Sequence, residues 1–257
     1  MTPRQHINAF LTLLRKEISR CFRIWPQTFA APVITSTLYF IIFGKILGAR
    51  VGDQHGFSYI QFIAPGLILM SVLMGSYINT SSSFFGTKFS RAVEELLMSP
   101  MPTSTIVLGY TLGGVFRGLF TGLIVSIIAM VFTHIHYVHI WLMFYSIFIT
   151  SFLFALVGMI NGIFARTFDE VSWIPSFILT PLTYLAGVFY SISLLPPVWQ
   201  VISHFDPVYY LISAFRFSML GLKSDVTTYA LSVSSILVVI AFFATSYSLR
   251  YSARMRD

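Results

Sequence analysis

Three histidines, His134, His136 and His139, stand within six residues, and such a cluster is the first place to look for metal chemistry. No carboxylate or cysteine accompanies them, and imidazoles at a membrane edge commonly serve as polar tips on apolar bodies, so the spacing assigns no site. Nucleotide chemistry has no footing either. The single Gly-Lys pair, Gly44-Lys45, lacks a glycine five residues upstream and a following hydroxyl, so no phosphate-cradling loop is encoded. The nine acidic residues are Glu17, Asp53, Glu94, Glu95, Asp169, Glu170, Asp206, Asp225 and Asp257, and all fall at termini, in loops or between apolar runs. A proton- or sodium-driven carrier places a carboxylate inside a span, so the pattern favours an energy source in trans. An ion-driven carrier and a lipid-modifying membrane enzyme stay as alternatives, although no nucleophile, base or metal cluster is assembled for the latter.

The remaining polar residues sit inside apolar runs. Arg117 is the one charge deep in such a run; it reads either as a lining or gating cation or as a hydrogen-bonded strut. Around it, Gly109, Gly113, Gly114, Gly118 and Gly122 form small-xxx-small repeats that favour close helix packing. Ser76, Asn79 and Thr80 to Ser83 make one half of the second run polar, lining an aqueous route or bonding backbone carbonyls. Between the second and third runs, Phe89, Val93 and Leu96 share one helical face with Ala92, while Arg91, Glu94 and Glu95 take the other. Adjacent carboxylates would be repelled by an anionic leaflet, so a protein groove is the better partner for this short helix.

These residues must be positioned by membrane helices. Of 257 residues, 56% are hydrophobic and 10% charged, and the apolar stretches exceed what a soluble core needs. The formal charge of +7 collects where apolar runs end, which reads as topology and not as nucleic-acid binding. One cysteine, Cys21, forms no internal disulfide. The pattern predicts an all-α integral membrane protein with six transmembrane spans at 26–48, 59–85, 105–132, 140–164, 171–189 and 229–249. Residues 1–25 predict a basic amphipathic helix on the membrane surface, its apolar face formed by Ile7, Phe10, Leu11, Leu14, Ile18 and Phe22. Residues 88–99 predict the charged helix. In 191–221, Pro196-Pro197 and Asp206-Pro207 split an apolar stretch into pieces too short to cross, giving a re-entrant helical hairpin on the outer side. Cations then concentrate on the side of both termini, which predicts that both are cytoplasmic.

The order of these elements, with "EELLMSPMPTSTIVLGY" after the second span and "LLPPVWQVISHFDPVYYLISAFR" before the sixth, resembles the ABC-2 family of ATP-binding-cassette export permeases. The resemblance covers essentially the whole chain as a single domain, and it is strongest to bacterial inner-membrane permeases that work beside a separate ATPase. It implies a homodimer bound to two ATPase subunits, with ATP and Mg held there and no cofactor bound by this chain directly. It makes Phe89, Arg91, Val93, Glu94, Glu95 and Leu96 a coupling helix seated in the ATPase. It also implies that the first and fifth spans form the dimer interface and line the pathway. That would involve Tyr39, Phe43, Trp173, Phe177, Tyr184 and Phe189, although lipid-facing aromatics would give the same periodicity; Asn79 and Arg117 are candidate pathway or gate residues from their own polarity inside apolar runs. A hydrophobic or amphipathic substrate moving outward is the expectation.

Overall fold

The computed structural model describes residues 3–54, 56–133, 138–224 and 226–251; His134, His136, Asp225, Arg254, Arg256 and Asp257 lie outside the described residues. Within them the chain is a succession of helices. After α1 (Pro3–Arg23), the first apolar stretch is π-helical over Pro26–Ala30, α-helical in α2 (Ala31–Ile41), π-helical again over Ile42–Leu47, and ends in α3 (Gly48–Val51). Proline explains the first widening. Pro32 has no N–H and its ring crowds the carbonyl four residues back, so the ladder opens, and the Ala31 amide reaches the Pro26 carbonyl five residues back.

Long helices follow: α4 (Tyr59–Phe89), the short α5 (Ala92–Met98), α6 (Thr103–Thr133) and α7 (Ile140–Phe164). At 31 residues each, α4 and α6 are about 46 Å long, more than a hydrocarbon core requires. Next come α8 (Phe168–Ile174), a π-helical turn Pro175–Leu179 and α9 (Thr180–Leu185), where Pro181 repeats the device of Pro32 and the Thr180 amide reaches the Pro175 carbonyl. The chain closes with α10 (Pro197–His204), α11 (Pro207–Leu220) and α12 (Thr227–Tyr251). Both α10 and α11 begin on a proline, whose missing N–H costs nothing in the first turn.

Among the described residues, five helices are long and apolar enough to cross a membrane: Pro26–Gly44, Tyr59–Phe89, Thr103–Thr133, Ile140–Phe164 and Thr227–Tyr251. The stretch expected as a further span, 171–189, overlaps the shorter run through α8 and α9, which ends at Leu185. Helix α4 is the hub. It packs on α6, α7 and α11, and 67% of its most apolar window is buried, against 17% for the first stretch and 11% for α12. Glycine sets the spacing of this centre. A Cβ on Gly158 of α7 would stand 2.5 Å from the Tyr77 carbonyl oxygen, and one on Gly118 would strike Ser76 and Ser151. The glycines of α6 therefore serve packing.

Candidate functional site

The charged helix hangs from α4 by a left-handed residue. Arg91 has φ 58°, a conformation in which an L side chain costs about 1–2 kcal/mol, and it reverses the chain into α5. Of the expected anchors, Val93 is 3% exposed and sits among Leu13, Phe84, Ile106 and Tyr110, and Leu96 packs against the same cluster. Val93 therefore fastens α5 to its own chain, which corrects the expectation that it faces a partner, while Leu96 is only half-buried. A seven-residue helix has one apolar stripe, and α1, α4 and α6 already supply the surface for it. Exposed instead are Arg91, Glu94, Glu95, Leu97 and Met98, the last at 80%. Phe89 is also exposed, with its ring 5.1 Å from Phe168 at the start of α8.

Two local devices brace this end of the molecule. The Lys88 ammonium donates to the carbonyls of Ile163 (2.8 Å) and Ala165 (2.9 Å), placing a cation on the negative end of α7. At α8 the Thr167 hydroxyl accepts from the Glu170 amide (3.2 Å) and the Glu170 carboxylate accepts from the Arg166 amide (2.8 Å). Thr-x-x-Glu is a helix-start signal present in the sequence, and it turns what reads as a plain solvated loop into an ordered one.

Helix α1 does not simply rest on its apolar stripe. Ile7, Leu11 and Phe22 of that stripe stay exposed, whereas a different face, Leu13, Glu17 and Cys21, is buried. Leu13 fits over Gly109 and Glu17 over Gly113, notches that any Cβ would fill. Arg20 donates to the Asn79 carbonyl (3.2 Å) and the Ser82 hydroxyl (3.0 Å), and the Cys21 thiol meets the Asn79 side-chain oxygen at 3.5 Å. Asn79 thus lies beneath α1, fully buried, and not on an open wall. Its neighbours Ser76, Thr80 and Ser82 donate to the carbonyls of Val72, Ser76 and Ile78, so the polar half of α4 bonds backbone and α1. Glu17 has no exposed surface, and the Ser83 hydroxyl is the hydrogen-bonding group beside its carboxylate. Burial pushes its pKa up, with Ser83, Lys16 and Arg20 pulling the other way.

The aromatic residues divide. Tyr39 and Phe43 of the first stretch meet Phe189, with ring centroids at 6.0 and 4.9 Å, and Tyr184 joins at 5.6 Å. Phe189 is held there by its neighbours: Tyr59 donates to its carbonyl (3.0 Å), and Arg216 donates to that of Gly187 (2.8 Å) while its guanidinium covers the Phe62 ring at 4.1 Å. Phe177 stands apart, exposed and stacked on Trp173. Beneath the aromatic group, a cavity of about 260 Å³ opens between the first stretch and α4, lined by Gln27, Thr35, Tyr39, Met70, Met74 and Arg117 among others. Arg117, 6% exposed, donates to the Gln27 carbonyl at 3.2 Å. Of the histidines, His139 meets the Phe217 ring at a tilt, with centroids 5.3 Å apart, and its amide donates to the Ser218 carbonyl.

The pattern of the ABC-2 type transporter family matches residues 8–220, from the middle of α1 to the end of α11. The chain belongs to the ABC-2 type transporter family. It is similar to the inner membrane transport permease YadH of Escherichia coli (strain K12), at 52% identity over 244 residues covering 94% of each chain. It is also similar to nodulation protein J of Rhizobium leguminosarum bv. viciae, at 25% identity covering 90% of this chain and 91% of that one. Family membership makes this a transporter. Its several apolar helices are the membrane part of such a machine.

Proposed function

We propose that the chain is the permease subunit of an ATP-driven exporter in a bacterial inner membrane. It would work as a homodimer with two copies of a separate ATPase, which hold the ATP and Mg. In this reading the run 168–185 and the turn after it complete a sixth crossing, both termini are cytoplasmic, and α10 with α11 form a hairpin on the outer side. The resemblance to YadH, named for transport at the inner membrane, supports the location.

The observation that carries this reading is the two-sidedness of α5. Val93 and Leu96 bind it to α1, α4 and α6, while Glu94, Glu95, Leu97 and Met98 are left facing away from the chain. A rigid knob with an acidic and apolar outer face is what a subunit without a nucleotide site needs in order to receive a push. Closure of an ATPase dimer would press on α5, and the displacement would pass into α4 and α6 as a body because α5 is fastened to both. Purification of the solubilised chain from its native host should bring down an ATPase. Met98→Asp with Glu95→Arg should release it while leaving the melting temperature in place, whereas Val93→Asp should destabilise the permease itself. A wild-type chain that comes down alone and moves solute under an ion gradient without ATP would overturn the proposal. One observation favours that ion-driven alternative: the carboxylate of Glu17, buried beside the Ser83 hydroxyl, is a group that could take up a proton.

A further inference from the structure

The cavity between the first stretch and α4 has two unlike ends. Arg20 reaching Asn79 fixes the start of the first stretch beside the far half of α4, and Gly44 against Ile60 fixes its end beside the near half. Along the cavity, Gln27 and Ile78 therefore mark one end and Tyr39 and Leu67 the other. The twelve steps from Gln27 to Tyr39 make about 18 Å of helix. Arg117 stands at the Gln27 end. At the opposite end Tyr39 opens onto the Phe43, Phe189 and Tyr184 rings. Between them the wall is Pro32, Met70, Met74 and other apolar groups, relieved by the hydroxyls of Thr35, Ser36 and Ser71.

Arg117 is the one charged residue among those lining the cavity, and no carboxylate lines it. A guanidinium has five N–H donors, and the single bond to Gln27 leaves most of them uncommitted; Nε is buried without a partner. A strut between helices would be served by a hydroxyl or an amide. An arginine in an apolar run is costly to bury, and an anion is what would offset that cost. The second cation nearby, Arg20, is engaged by Asn79 and Ser82. Because Gln27 is only four residues beyond the end of α1, the cation lies at the end of the cavity nearest α1. An apolar channel leads from it along the first stretch toward Tyr39.

We propose that this cavity binds an anionic amphiphile: an oxyanion head, phosphate, sulfate or carboxylate, on the Arg117 guanidinium, with an apolar chain lying between the first stretch and α4 toward Tyr39. The proposal rests on the transport reading above and names the chemical class of its solute. Head and tail lengths fit the geometry, since an 18 Å groove takes an extended chain of about a dozen carbons. The bidentate fork of arginine suits oxyanions better than a lysine would.

Binding needs neither ATP nor a partner, so the test is independent of the exporter reading. The full chain, in nanodiscs of phosphatidylcholine, is titrated with fluorescent dioctanoyl phosphatidic acid and with the matching dioctanoylglycerol, which differ only in the phosphate. The phosphate probe should bind at least about tenfold more tightly, the discrimination expected of a charge-assisted hydrogen bond. Arg117→Gln should bring the two within about twofold, and Arg117→Lys should retain part of the preference. Met74→Trp, which fills the channel and leaves the cation in place, should weaken both probes while keeping their ratio, so the inference stands or falls even if Arg117→Gln fails to fold. Mass spectrometry of co-purified lipid identifies the natural source. Anionic lipid depleted in Arg117→Gln assigns the site to a membrane lipid, and unchanged lipid with the probe preference intact assigns it to a soluble amphiphile. Equal binding of the two probes by the wild type, or a preference that survives Arg117→Gln, would overturn the inference. ATP-driven export of neutral amphiphiles with no anion preference would do so while leaving the exporter reading intact.

Discussion

Helices α4, α6 and α7 and the two proline-bearing runs, 26–51 and 168–185, are built from nearly the same apolar alphabet and behave differently. The first group is drawn together by glycines: Gly114, Gly118 and Gly122 of α6 and Gly158 and Gly162 of α7 bring backbones and small side chains into contact. The second group carries two pairs of prolines at the same spacing, Pro26 with Pro32 and Pro175 with Pro181, and each pair encloses a π-helical turn. Their large side chains stay uncovered, among them Ile34, Leu38, Trp173 and Phe177. Glycine contacts multiply short-range attraction over many atoms and leave no room to slide. A widened turn removes regular hydrogen bonding and lets a helix bend. The difference separates a block from thinly covered, widened walls, and the cavity lies between the block and the first of them.

The largest expected effect tests the block. Gly158→Leu drives a side chain into the Tyr77 backbone, which cannot yield as a flexible side chain would, and should cost about 3 kcal/mol or more. A loss of the monodisperse peak on size exclusion and a lower melting temperature would record it. Gly86→Ala in the same hub, where a Cβ meets nothing within 4 Å, should be neutral or stabilising by up to about 1 kcal/mol. Equal damage from both would mean that close approach is not what holds the block.

Next in size is the attachment of the α10–α11 pair. Asp206 caps α11 by accepting from the Val208 amide at 2.8 Å, but its second oxygen is buried without a partner. Burial pushes its pKa up to about 6, with the Val208 amide opposing. A carboxyl whose pKa is raised on folding favours the protonated folded state. Its contribution is complete below about pH 4 and is lost as pH rises through about 6, amounting to roughly 2 kcal/mol after allowance for screening. Asp206→Asn keeps the cap and cannot ionise. Melting temperature should fall from pH 5 to 7.5 in the wild type and stay level in the variant; parallel curves would remove Asp206 as the cause.

The division between block and walls was legible in part. Runs of apolar residues broken by Pro196-Pro197 and Asp206-Pro207 lead directly to the starts of α10 and α11, because proline acts locally. Tertiary choices were not legible. The stripe on α5 announces an apolar face without saying that Leu13 and Tyr110 of the same chain will cover Val93. Glu17 looks like a surface charge on a basic helix, and only the pairing of α1 with Gly113 buries it. The helix-start pattern from Thr167 to Glu170 was readable and carries more order than its polarity suggests. Of the pathway aromatics, Tyr39, Phe43, Tyr184 and Phe189 converge while Phe177 does not, a distinction that periodicity cannot make because lipid-facing and cavity-facing rings recur at the same spacing.

A smaller effect belongs to the junction where α5 joins the block. Arg91 occupies left-handed space, which glycine enters freely and a β-branched residue resists. Arg91→Val should destabilise by about 1–2 kcal/mol, and Arg91→Gly should be close to neutral. Hydrogen exchange at the amides of Glu94 and Glu95 would localise the change to α5. If both variants exchange alike, the turn is free to adopt another shape and the knob is not rigidly hung.

The walls themselves should show the smallest change in stability and a large one in turnover. Replacing Pro32 and Pro181 by alanine restores two amide donors and removes the ring clash that opens each π turn, so both helices can close to regular α geometry. Since these helices are thinly packed, the melting temperature should hold or rise, by no more than about 1 kcal/mol in stability. If bending of these walls is part of the cycle, transport in energised vesicles should slow by about threefold or more although the protein is no less stable. Exchange of the Ala31 and Thr180 amides should slow in parallel, since each would then bond four residues back instead of five. A fall in stability with transport unchanged would reverse the assignment, making the prolines part of the packing and the glycine-rich helices the ones that move.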